Sequence, residues 1–165
     1  VNILNPGIGI GGHCIPIDPN FLIRRYKNIP LISSSIKTNK IQTDFFYDKI
    51  NSFLNKKKYL KIIFLGLTYK ENVGDIRNSP TISLIKKLLK TYKKKEFYVS
   101  DPWLISSPKA INQAKFIENT YCNISQYDVV FLCVAHNEFK NYLSKKNNLF
   151  IDLSGYYNYE NINNL

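Results

Sequence analysis

A cysteine stands at position 14 in the run Gly7-Ile8-Gly9-Ile10-Gly11-Gly12-His13-Cys14-Ile15-Pro16-Ile17-Asp18-Pro19, where four glycines fall within six residues. A thiol in such a place can serve as a nucleophile. Glycines let backbone N–H groups approach a ligand closely, and a helix starting just downstream adds positive potential. The usual fate of a lone cysteine, a small buried hydrophobe, suits Cys122 and Cys133 better, the latter lying within an apolar run. Adjacent residues of an extended segment point to opposite sides, so His13 is given a backbone or structural role rather than direct pairing with Cys14. Asp18 lies four residues on, in a segment that prolines hold extended. It is expected to return to the thiol's side, where a carboxylate can act on water or on a hydroxyl; capping the next helix is an equally good reading.

The same glycines spell a literal G-x-G-x-x-G at Gly7, Gly9 and Gly12, the pattern that cradles a dinucleotide pyrophosphate when a helix follows. Here Pro16 removes a backbone donor and restricts its predecessor, so no helix can run on from Gly12. The dinucleotide reading is rejected for this loop. Close backbone approach to a ligand beside the thiol is preferred to a plain tight turn.

A second set of chemically useful residues follows the apolar run Ile62-Ile63-Phe64-Leu65: Lys70, Asp75 and Arg77. In an open α/β sheet, ligands collect beyond the carboxyl ends of the strands, and two cations there can bind diphosphate or carboxylate charge. A helix opening at Ser79-Pro80 adds its N-terminal N–H groups to that field. Taken alone, these residues read equally as surface cations, with Asp75 pairing and orienting Arg77.

The elements that must position these groups have clear signals. Asp18 at a cap position and Pro19 at the first helical position start a helix, which Pro30 interrupts. A second helix is expected from about residue 31 to 55, with Ile32, Ile36, Ile41, Phe45, Phe46, Ile50 and Phe53 forming a stripe that must pack on something. Strands are predicted at 61–67, 96–102, 115–117, 128–134 and 149–153, and helices at 79–93 and 137–144. Alternation of this kind predicts a Rossmann-like α/β domain with a parallel sheet over residues 60–160.

The bulk properties narrow the partners. A chain of 165 residues with 44% hydrophobic content suits one ordinary domain, or a small one with an appended segment. It shows no signal-peptide pattern and no apolar run near the ~20 residues of a membrane span, so a cytoplasmic location without membrane contact is expected. The three cysteines have neither disulfide nor zinc spacing. The net charge of +11 is compatible with nucleic acid or with an anionic small ligand. Its lysine clusters, however, fall at helix ends and connections, and no basic run is interleaved with aromatics. A solvated basic surface is preferred, and no nucleic-acid partner is expected.

The run from Asn5 through Leu22 resembles the active-site loop of the UDP-glucose/GDP-mannose dehydrogenase family, especially the branch acting on UDP-N-acetylhexosamines. The run Leu65-Gly66-Leu67-Thr68-Tyr69-Lys70-Glu71-Asn72-Val73-Gly74-Asp75-Ile76-Arg77-Asn78-Ser79-Pro80 resembles the strand, loop and helix that open that family's UDP-sugar-binding domain. Weaker likeness continues through Asp101-Pro102, residues 128–134 and His136-Asn137-Glu138-Phe139-Lys140.

The resemblance implies residues 1–58 as the active-site loop and helical tail of a central dimerisation domain, and residues 59–165 as a Rossmann-like UDP-sugar-binding domain. It implies Cys14 as catalytic thiol with Asp18 in the acid-base group. Gly9, Gly11, Gly12, Phe21 and Lys70 would contact the UDP-sugar, and Arg77 would reach the cofactor side. The activity implied is NAD-dependent oxidation of a sugar C6 alcohol to the carboxylate, for surface polysaccharide precursors, by a homodimer built on the central helix. UDP-glucose and GDP-mannose stay open as substrates. By the same resemblance, the NAD-binding domain and part of the central domain lie outside these residues, so the chain by itself is expected to be inactive. A truncated UDP-sugar-binding or dimerisation module is the alternative.

Overall fold

The computed structural model describes residues 7–26, 28–56, 61–118, 124–140 and 149–156. Its frame is a five-stranded parallel sheet in the order β3-β2-β1-β4-β5, made of β1 (Lys61–Leu65), β2 (Glu96–Ser100), β3 (Lys115–Phe116), β4 (Val129–Leu132) and β5 (Leu149–Asp152). The central strand β1 is buried from Ile62 to Leu65, because parallel strands are covered on both faces and need apolar side chains on each. Its odd and even residues divide between two cores. Ile62 and Phe64 join Phe97, Val99, Phe131 and Ile151 on one face; Ile63 and Leu65 join Val130, Leu132, Tyr127 and Phe139 on the other. On the first face the Phe64 and Phe131 rings stack with centroids 5.0 Å apart.

Among the described residues four α-helices accompany the sheet: α1 (Asp18–Arg25), α2 (Pro30–Asn55), α3 (Pro80–Thr91) and α4 (Asn137–Lys140). Helix α3 begins as its sequence predicts. Ser79 is the N-cap, its side chain accepting from Ile82 N, with Pro80 next in line. Leu84, Ile85, Leu88 and Leu89 seal it to the first face of the sheet.

Helix α2 behaves as two halves. Phe46, Ile50 and Leu54 enter the same core as α3 and the strands, whereas Leu31 is 79% exposed and Ile41 and Phe45 are also exposed. Of the expected apolar stripe, Phe46 and Ile50 are buried, Ile32, Ile36 and Phe53 are half-buried, and Ile41 and Phe45 are exposed. The expected α/β class and parallel sheet are observed. Strand β2 stops at Ser100 rather than reaching Pro102, since Asp101 turns its carboxylate onto the loop after β1. The predicted residues 141–144 of α4, and Cys122, lie outside the described residues.

Candidate active site

The strand order reverses between β1 and β4, and it is beyond the carboxyl ends at such a switch point that open α/β sheets collect ligands. Gly66 lets the two strand ends approach: it has φ +89°, and a Cβ there would lie 2.6 Å from the Val134 Cβ and 2.7 Å from its backbone N and O. The chain then forms a loop, residues 66–79, that carries the expected cations. Lys70 is exposed near the crown of this loop, and Tyr69 N donates to Asp75 O across it. Arg77 is clamped by Asp75: Nε and Nη2 donate to Oδ2 at 2.9 and 2.6 Å, and the Arg77 backbone N donates to Oδ1 at 2.9 Å. These bonds from Arg77 hold the Asp75 carboxyl down at about 2. The expected orientation of Arg77 by Asp75 is thus present.

Beneath this loop lies a buried polar cluster that the sequence motifs did not single out. Asp101 Oδ2 accepts from Leu67 N and Thr68 N at 2.6 and 3.1 Å, and Oδ1 accepts from Trp103 N at 2.9 Å. His136 Nε2 lies 3.0 Å from Thr68 Oγ1 and 3.2 Å from Asp101 Oδ2, while its Nδ1 accepts from Asn72 N at 2.9 Å. Burial pushes the Asp101 carboxyl up, but the hydrogen bond from His136, with those from the Leu67 and Trp103 N–H groups, holds it below its ordinary value. A polar residue placed just beyond a buried apolar strand was the available signal, and both Asp101 and His136 carry it.

The thiol loop lies against the 66–79 loop and against α2. Gly12 N donates to Arg77 O at 2.9 Å, and Asn78 Nδ2 donates to Gly12 O at 2.9 Å. From α2, the Asn39 amide both accepts from Ile10 N (2.7 Å) and donates to Ile10 O (2.9 Å), while Gln42 and Thr43 donate to Gly7 O and Ile8 O. Gly11 and Gly12 are buried, and the reason is contact with protein. A Cβ on Gly11 would meet Asn78 O at 2.7 Å and Tyr69 Cβ at 2.8 Å; one on Gly12, at φ +90°, would meet the Tyr69 ring at 2.9 Å. The N–H of Gly12 is committed to Arg77 O. A Cβ on Gly9 would find Asn39 Oδ1 at 3.2 Å.

Cys14 is exposed at the end of this loop, and Ile17 N and Asp18 N both donate to its carbonyl oxygen. The segment from Cys14 to Asp18 is accordingly a turn, where an extended course was expected. Asp18 still comes to the thiol's side, because residues four apart in a helical turn share a face. It does not cap α1. The N-cap is Ile17, without a side-chain cap bond, and Asp18 is an acidic residue of the first turn. Cys14, Ile15, Asp18, Pro19, Phe21 and Leu22 line one shallow, mostly apolar depression, with Phe21 63% exposed. Lys70 is not among its lining residues. Arg77 lies close enough to Cys14 for a thiolate there to stabilise its charge. The exposed His13 stands near the Asp75 carboxylate. Cys133 is the contrasting cysteine: it is buried, and burial pushes its thiol far up, as its apolar setting predicts.

Fold and site together define a doubly wound α/β domain whose strand switch point faces a loop bearing an exposed thiol. The UDP binding domain of the UDP-glucose/GDP-mannose dehydrogenase family matches residues 63–159, and that family's central domain matches residues 1–41. The UDP-N-acetyl-D-mannosamine dehydrogenase of Methanocaldococcus jannaschii is 34% identical over 148 residues, 86% of this chain and 31% of the relative. The NDP-N-acetyl-D-galactosaminuronic acid dehydrogenase of Ralstonia nicotianae is 30% identical, over 85% of this chain and 33% of the relative. Among solved structures, the UDP-N-acetyl-mannosamine dehydrogenase from Staphylococcus aureus superposes with a TM-score of 0.71 at 28% identity, covering 99% of this chain and 40% of that one. This chain belongs to the UDP-glucose/GDP-mannose dehydrogenase family. It spans about a third of the length of the curated relatives cited here, 31% and 33%.

Proposed function

We propose that this chain is the C-terminal portion of an NAD-dependent 6-dehydrogenase that oxidises the C6 alcohol of a UDP-N-acetylhexosamine to the uronate, for surface polysaccharide precursors made in the cytoplasm. The observation that carries the proposal is the union of the two loops. The exposed Cys14 sits on a loop hydrogen-bonded, through Gly12 and Asn78, to the loop that bears Lys70 and Arg77 at the strand switch point. A nucleotide-sugar diphosphate held by Lys70 and the α3 N-terminus would extend its sugar toward the thiol.

The glycine loop does not fit a dinucleotide: the Gly12 N–H is taken by Arg77 O, and a turn, not a helix, follows. Arg77 could still reach the cofactor side through Nη1, because Asp75 takes only its Nε and Nη2 donors. NAD, held mainly by a domain that these residues do not include, would accept the two hydrides. Cys14, as thiolate, would add to the C6 aldehyde and keep it from escaping as a thiohemiacetal; at the thioester stage, water would attack and the thiolate would leave. Asp18, on the same wall of the depression, would orient that water and take its proton. The exposed apolar half of α2, with Leu31, Ile41 and Phe45, would supply the homodimer contact.

NAD reduction by the intact protein with UDP-N-acetylmannosamine, UDP-N-acetylglucosamine, UDP-glucose and GDP-mannose tests the reading. The highest kcat/KM is expected with an N-acetylhexosamine, and the 165 residues alone should reduce no NAD. Failure of the intact protein with all four would sink the reading.

A further inference from the structure

The chemistry above leaves unused a fully buried ionisable pair, Asp101 and His136. Asp101 follows β2 and His136 precedes α4, so the two stand on either side of the β1 strand end. Most of their side-chain bonds converge on one short loop. Asp101 takes the N–H groups of Leu67 and Thr68, and His136 takes the N–H of Asn72. Thr68 Oγ1, 3.0 Å from the imidazole, donates to Lys70 O at 2.9 Å, and the Asn72 side chain in turn accepts from Asn137 N. Lys70 is thereby fixed at its own carbonyl and at the residues two before and two after it.

Hydrogen-bond accounting also fixes the imidazole. The Asn72 N–H can only donate, so Nδ1 must be the acceptor and the ring proton sits on Nε2, where Thr68 Oγ1 and Asp101 Oδ2 can receive it. Thr68 Oγ1 spends its own proton on Lys70 O, which leaves it free to accept. Asp101 is the one charged group hydrogen-bonded to the imidazole among the described residues. Burying a carboxylate and an imidazole costs more than filling the same space with apolar side chains. An arrangement whose bonds go chiefly to the backbone of a single functional loop has loop shape as its product.

We propose that Asp101 and His136 are positioning residues that, through Thr68 and Asn72, set residues 67–72 in the shape that presents Lys70 to the diphosphate of the nucleotide sugar. The inference rests on the proposed nucleotide-sugar site and adds what holds its cation in place. A purely structural cluster would lower stability when broken, yet would leave ligand affinity in the folded fraction untouched and uncoupled to Lys70.

The test is calorimetry of UDP-N-acetylglucosamine binding to the intact protein. His136→Ala and the near-isosteric Thr68→Val are each expected to raise Kd about tenfold. Neither should add to the effect of Lys70→Ala in a double-mutant cycle. His136→Asn, whose amide oxygen can take the place of Nδ1 before Asn72 N but which has no atom to reach Thr68, should recover part of the affinity. Alkylation of Cys14 by iodoacetamide should proceed at an unchanged rate, which separates this loop from the thiol loop. If His136→Ala does not fold, Thr68→Val decides the matter, since it keeps volume and removes only the bridging hydroxyl. No binding by the unmodified protein overturns the nucleotide-sugar reading and this inference with it. Normal affinity in folded Thr68→Val, or effects additive with Lys70→Ala, overturns this inference alone.

Discussion

The thiol loop and the 66–79 loop touch at Gly11 and Gly12, yet they are held in opposite ways. The thiol loop is fastened from outside, by amides on α2 and by Asn78, with its reactive end in solvent. The 66–79 loop is fastened from beneath, by a carboxylate and an imidazole that are wholly buried, with its cations in solvent. The difference separates chemistry from stability. Changes at the tip of the first loop should alter reactivity and spare the fold, whereas changes at the root of the second should damage both.

The largest effect expected lies in the first loop. Cys14→Ala should lower turnover by the intact protein at least ~10³-fold, since no other thiol of the described residues is exposed. Its midpoint of thermal unfolding should not move, because an exposed side chain contributes little packing. A lowered midpoint would show the thiol loop to be part of the core, and the contrast would fail.

Gly66→Ala probes the root of the second loop. With φ at +89° and the Val134 backbone 2.7 Å from the new Cβ, neither strand end can yield cheaply, and a loss of about 3 kcal/mol is expected. Gly7→Ala is the control in the first loop. Its nearest neighbour is Leu153 O at 3.5 Å, an ordinary contact, so denaturant unfolding should show a change within about 0.5 kcal/mol. Equal losses at the two positions would remove the distinction.

Asp101→Asn should come next, at about 2 kcal/mol, because an amide nitrogen would face backbone N–H groups that now meet a carboxylate. The sign with pH follows from a carboxyl held below its ordinary value. Its stabilisation is complete above the unfolded value of about 3.9 and is lost as pH falls through the lower folded one. Denaturant midpoints between pH 5 and pH 3 should therefore fall more steeply for the unmodified protein than for Asp101→Asn. Parallel slopes would mean that Asp101 does not carry the charge assigned to it.

Sequence and structure agree where a signal is local. The buried run from Ile62 to Leu65 and the Ser79-Pro80 helix start declare themselves within a few residues, because strand burial and capping are set by neighbours. Asp18 was misread as a cap for the converse reason: the cap position depends on where the turn from Cys14 closes, and one residue of phase moved it into the first helical turn. Asp101 and His136 were legible singly, as polar residues just beyond buried strands, but not as a cluster, since the bonds that join them to each other and to residues 67–72 span 33 to 68 positions and no spacing rule reaches that far. The α2 stripe was half legible. Its period shows a helix with one apolar face, but only the tertiary arrangement says that Phe46, Ile50 and Leu54 meet the sheet core while Leu31 and Ile41 do not.

The smallest effect tests the fastening of the thiol loop itself. Asn39 is half-buried and its amide pairs with both backbone groups of Ile10, in the manner of a strand neighbour supplied by a helix. Asn39→Ala removes both bonds, but Ile10 is exposed and water can replace them, so the stability cost should be about 1 kcal/mol. Gln42 and Thr43 still hold Gly7 and Ile8, and Arg77 O and Asn78 still hold Gly12, so the release centres on Ile10 and reaches Cys14 only in part. Alkylation of Cys14 should then quicken a few-fold, while UDP-N-acetylglucosamine affinity, set by the other loop, changes less. A slower alkylation, or a loss of affinity as large as that of Thr68→Val, would mean that α2 and the buried cluster hold one structure rather than two.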